Sequence, residues 1–119
     1  MFDVPTLRLS TLRRLLAGMP SPLVFDRATP QHVVDEALRD VPRAKVVFVD
    51  SEVFAGIRVA GDPAVHTDAV FLAPEEDVEG ALATLESHHA GYVVAALSGQ
   101  LVGVLTRDEL VAAMKRRVA

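Results

Sequence analysis

A chain of 119 residues that is 50% hydrophobic and 24% charged can bury one compact core, or two small repeats that share one. A net charge of −4 denies it the basic face of a general nucleic-acid binder, and 5% aromatic content without Trp argues against a site of stacked rings. The absence of cysteine excludes disulfides, thiol catalysis and cysteine-based zinc sites. No N-terminal apolar run is long enough for a signal peptide or membrane span, so a cytoplasmic protein without membrane contact is expected.

In chain order, Met1 to Leu9 reads as extended. Ser10 is placed to cap a short helix, Thr11 to Ala17, with Leu12, Leu15 and Leu16 on one face. Pro20-Ser21-Pro22 forces an extended exit into a short strand, Leu23 to Phe25. Thr29-Pro30 opens a helix whose stripe is Val33, Val34, Ala37, Leu38 and Val41, and Pro42 ends it. Lys45 to Val49 reads as a strand covered on both faces, turning through Asp50-Ser51-Glu52 into Val53 to Val59. Ala60 to Thr67 breaks both periodicities at Gly61-Asp62-Pro63 and is expected to be a linker. Ala69 to Leu72 is a strand. Pro74 with Glu75-Glu76-Asp77 makes an acidic start to a helix with the stripe Val78, Ala81, Leu82 and Leu85. Tyr92 to Ala96 and Leu101 to Leu105 form a hairpin about Ser98-Gly99. A last helix, Asp108 to Arg117, turns Leu110, Val111 and Met114 inward.

The order of elements repeats. Pro30, Val34, Ala37 and Leu38 match Pro74, Val78, Ala81 and Leu82 at an offset of 44, and Phe54-Ala55-Gly56-Ile57 matches Leu101-Val102-Gly103-Val104 at an offset of 47. Each copy is strand, helix, strand, strand. The second adds a terminal helix, and the helix preceding the first copy is expected to fill the gap left there.

These residues resemble the CBS domain, a βαββα unit that occurs in tandem as the Bateman module. Leu16-Ala17-Gly18-Met19-Pro20-Ser21-Pro22-Leu23-Val24 is similar to its opening. Ala37-Leu38 and Ala81-Leu82 are similar to its helix core, and Gly99 to Arg107 to its closing hairpin and ligand motif. The resemblance implies an α+β fold of tandem CBS-like repeats packed as a pseudo-symmetric pair. The N-terminal segment is then 1–18, a degenerate first repeat with its linker 19–67, and the second repeat 68–119. It also implies a homodimer, and no required cofactor.

The family's ligand motif is a Gly, then a Thr or Ser that meets phosphate, then an acid that holds ribose. The second copy supplies Gly103, Thr106 and Glu109. The first supplies Gly56, Val59 at the hydroxyl position, and Asp62. Candidate ligand-binding residues are therefore Thr106, Arg107, Asp108, Glu109, Asp62 and Arg58. All but Arg107 have a plainer role: Thr106 as a helix N-cap, Asp108 and Glu109 as first-turn acids, Asp62 as a turn residue, Arg58 as a solvent-facing strand residue. His32, His66, His88 and His89 lack ligand spacing, so no metal is expected. No nucleophile stands in a catalytic setting, so an enzyme is not expected either. The implied function is a regulatory module that binds an adenosine-containing nucleotide (ATP, ADP, AMP or S-adenosylmethionine) in the cleft between repeats. It would act on a separate effector protein. The alternative is a degenerate pair kept as a structural or dimerisation module without a ligand.

Overall fold

The computed structural model describes residues 11–118; the extended Met1 to Leu9 and the Ser10 cap lie outside them. The elements are α1 (Leu12–Leu16), β1 (Leu23–Asp26), α2 (Gln31–Asp40), β2 (Lys45–Asp50), β3 (Val53–Val59), β4 (Ala69–Leu72), α3 (Val78–His88), β5 (Tyr92–Leu97), β6 (Gln100–Thr106) and α4 (Arg107–Val118). They form a mixed α+β fold with two three-stranded sheets, β1-β2-β3 and β4-β5-β6. Two compact units carry one sheet each: Met19–Thr67, and residues 11–18 with 68–118.

The sheets are built alike. In the first unit β1 runs parallel to β2 and β2 antiparallel to β3; in the second, β4, β5 and β6 do the same. Both antiparallel ladders are interrupted by one bulge, after Phe48 opposite Gly56 and after Ala95 opposite Gly103. Those positions are related by the offset of 47 read from the sequence. Both hairpins turn through two residues at positive φ, Ser51 and Glu52 in one, Ser98 and Gly99 in the other. That conformation matches the twist of the paired strands.

In the first unit Val34 and Leu38 of α2 pack on Val46 and Phe48, with Leu23, Phe25 and Ala55 at the margin. Burying each such side chain contributes about 1.5–3 kcal/mol. The expected stripe is too wide, because Val33 and Val41 are exposed. Pro30 precedes α2 in an extended conformation rather than occupying its first turn. Lys45 to Phe48 are buried, in keeping with a strand covered on both faces. In the second unit Val78, Ala81 and Leu85 of α3 are buried. α4 packs against α3 and β6 and buries Leu110 and Ala113. Asp77 caps α3 by accepting from the Gly80 N–H at 2.6 Å, so Glu75 and Glu76 precede the helix and do not form its first turn.

Two expectations are corrected. The helix before the first copy does not fill that copy's gap; α1 belongs to the second unit. Its first N–H groups are satisfied there, Leu12 on the Glu76 carbonyl at 2.9 Å and Arg13 on that of Pro74 at 2.8 Å. Leu12 is fully buried, and Leu16 lies over Gly103, where a Cβ would collide with it. Nor is Ala60 to Thr67 a bare linker. His66 exchanges both backbone hydrogen bonds with Ile57 at 2.8 Å, and Val65 lies over Gly56. The segment is a strap laid along β3, and it covers the first unit's bulge glycine as Leu16 covers the second's.

Candidate functional site

The β6–α4 junction forms as the sequence suggests, with α4 starting at Arg107. The Thr106 hydroxyl accepts from the Glu109 N–H at 3.1 Å, and Glu109 Oε1 accepts from the Thr106 N–H at 2.8 Å. This reciprocal pair is a capping box, which satisfies two N–H groups that a helix start would otherwise leave unpaired. It gives a local reason for the longer acid at position 109, since glutamate three residues past the cap reaches back to the cap N–H. Among the described residues the Thr106 hydroxyl has no acceptor for its own proton.

Arg107 points elsewhere. Its N–H donates to the Gly91 carbonyl at 2.9 Å, and its guanidinium pairs with Glu86 of α3 at 3.1 Å, both side chains about half exposed. Arg107 and Glu86 border a shallow depression with Asp68, His89, Ala90 and Gly91. Asp108 is exposed on the first turn of α4. The junction thus brings Thr106 and Glu109 into direct contact and turns Arg107 toward α3.

In the first unit Arg58 is not a solvent-facing residue. Its side chain is only 7% exposed, and Nη1 donates to Asp35 Oδ1 on α2 at 2.8 Å. Nε donates to the Asp62 carbonyl at 3.1 Å. Asp62 closes the strap on itself: its carboxylate accepts from the Ala64 N–H at 2.9 Å and from His66 Nε2 at 2.8 Å. The His66 hydrogen bond first, and the Ala64 N–H next, hold the Asp62 carboxyl below the usual carboxylate range. Asp62 therefore serves as the turn residue of the plainer reading, with a histidine partner added.

Sequence reasoning missed Asp35 and His66. A signal existed for each. Asp62 and His66 are four residues apart in the segment read as a linker. Arg58 stands at the offset of 47 from Leu105, which exposes it as an arginine in a core position. Among the described residues no cluster of three His, Asp or Glu side chains is set to hold a metal. Nor is any helix long and apolar enough to cross a membrane.

The folded order β-α-β-β followed by β-α-β-β-α defines a tandem α+β module of the CBS class. Residues 61–116 match the model of the CBS domain family. The second half of the chain is thus a CBS domain, and the whole chain has the fold of a single CBS pair. Such pairs are often regulatory and ligand-binding.

Solved structures agree at the level of fold. The chain is similar to a CBS domain attributed to a transporter of Clostridium difficile 630, with a TM-score of 0.70 at 8% identity, covering 93% of this chain and 98% of that one. It is similar to the CBS domain of a CBS domain containing membrane protein from Sphaerobacter thermophilus, with a TM-score of 0.68 at 14% identity, covering 92% and 90%. It is also similar to the CBS domain of the bacterial CNNM/CorC family Mg2+ transporter, with a TM-score of 0.67 at 11% identity, covering 93% and 78%. Compared by sequence with curated proteins, the chain finds no match.

Proposed function

We propose that this chain is a regulatory, non-catalytic CBS pair that senses an adenosine-containing nucleotide through the β6–α4 junction. One observation carries the reading: the Thr106 hydroxyl is held by Glu109 as an acceptor, yet keeps its proton for an incoming group. A phosphate oxygen is such an acceptor, and a helix start favours its charge. Glu109 is the residue offered to ribose hydroxyls. Arg107 would join by leaving Glu86, an exposed pair worth about 0–1 kcal/mol. Asp108 adds negative charge on the same turn, and Asp62 and Arg58, each engaged within the first unit, contribute less. The module works in the cytoplasm as a homodimer and acts on a separate effector protein through a shift of conformational populations.

A second reading has its own observation. The capping box and the Arg58–Asp35 pair satisfy the motif residues internally, as a structural or dimerisation module without a ligand would require.

Calorimetric titration with ATP, ADP, AMP and S-adenosylmethionine separates the two. Sensing predicts micromolar binding by at least one of them, lost in Thr106→Ala and kept in Thr106→Ser, which retains both hydroxyl and cap. Thr106→Ala also costs about 1 kcal/mol of cap energy, so its folding is checked by thermal melt. No heat with any of the four at millimolar concentration leaves the structural reading.

A further inference from the structure

We propose that the first unit holds a second ligand site, on the helix-covered face of its sheet, for a small organic anion with an apolar body. It depends on the first unit alone and stands or falls independently of nucleotide sensing at Thr106.

The site arises from what the first copy lacks. In the second unit α4 packs beside α3 on β6, with Leu105 buried at that face. No helix follows β3 in the first unit; the strap does. A cleft of about 640 Å³ is left between the start of α2, the β2–β3 hairpin and the strap. That volume falls within the roughly 300–1,000 Å³ of small-molecule sites. Its walls are Val34, Phe48, Phe54 and Val65, and its polar groups include Thr29, Gln31 and Arg58.

Arg58 supplies the charge. A guanidinium has five N–H donors. Here Nε is held by the Asp62 carbonyl and Nη1 by Asp35. Nη2 donates to no group among the described residues, and no buried side-chain nitrogen or oxygen there lacks a partner, so Nη2 borders open space rather than packed protein. Arg58 lines this cleft and also a neighbouring depression with Gln31, Asp35 and Asp62, and we set Nη2 at the cleft. Asp35 and Asp62 fix the guanidinium, so an anion meets it with little side-chain entropy left to lose. A carboxylate, sulfonate or phosphate would take Nη2, while a flat apolar body covers the two phenylalanines.

Two fluorescent probes with the same aromatic body test this on the full chain: anilinonaphthalene sulfonate, which is anionic, and N-phenylnaphthylamine, which is neutral. The wild type should bind the anionic probe saturably and about tenfold or more tighter than the neutral one, as expected for one charge-assisted hydrogen bond. Arg58→Gln should remove that preference. Val53 is 66% exposed at the cleft mouth, so its variants leave the core intact. Val53→Glu should weaken the anionic probe and Val53→Lys strengthen it, with the neutral probe unchanged. Equal binding of both probes by the wild type, a preference that survives Arg58→Gln in a folded variant, or no response to the two Val53 charges would each overturn the proposal.

Discussion

Leu105 on β6 stands opposite Val93, and Arg58 on β3 stands opposite Val46, so one register position carries a leucine in one unit and an arginine in the other. The strands around them pair alike, bulge alike and show the same sequence of exposed and buried residues along β3 and β6. The difference lies in what covers the sheet. α4 closes the second unit and demands an apolar residue beneath it. The first unit has no such helix, and an arginine fits there because α2 offers Asp35 and the strap offers a carbonyl. A duplicated fold can thus lose a helix and keep its sheet if the uncovered position becomes a satisfied charge.

Exchanging the two residues breaks this comparison most severely. Leu105→Arg places a cation in a fully buried site, while Glu79, which matches Asp35 at the offset of 44, is exposed; the change should cost roughly 4 kcal/mol or more. The reverse change, Arg58→Leu, leaves Asp35 unpaired but 36% exposed, and should cost about 1 kcal/mol. Urea denaturation followed by circular dichroism reads both. Equal costs would mean that the two positions are not packed as differently as described.

The bulge glycines give the next largest contrast. Gly56 has a φ of +152°, and a Cβ there would meet Val65 Cγ1 and, at 3.3 Å, the His66 carbonyl oxygen. Gly103 has no left-handed φ, and the atoms a Cβ would meet all belong to the flexible side chain of Leu16. Gly56→Ala should therefore destabilise by about 2–3 kcal/mol, and Gly103→Ala by about 1 kcal/mol as Leu16 gives way. Denaturation midpoints in the reverse order would show that the strap yields more easily than α1.

Strands and hairpins were legible because their signals are local. Val53 to Val59 and Ala69 to Leu72 form as the alternation and turn residues indicate. The capping box was half legible: Thr106 as a cap follows from its place before a helix, and the return of Glu109 to the cap N–H follows from spacing. What escaped depends on distance along the chain. Nothing local says that α1 will donate to carbonyls next to residue 75, or that Arg58 will find Asp35 on α2. The repeat was the one long-range signal in the sequence, and it already set Arg58 against Leu105.

The smallest effect expected separates the strap from α1 by pH. Asp62 ties the first unit's strap through His66 and the Ala64 N–H, whereas among the described residues it is Leu16 that lies over Gly103. The Asp62 pKa is lowered on folding, so its contribution is present above the unfolded carboxylate value, about 3.9, and is lost as pH falls through the lower folded value. Stability measured for wild type and Asp62→Asn from pH 7 to pH 2 cancels the titration of every other carboxylate common to both. The difference between them should shrink as pH falls below about 4. A difference that holds constant to pH 2 would place the role of Asp62 in its turn geometry, which asparagine shares, and would remove the charge from the strap's account.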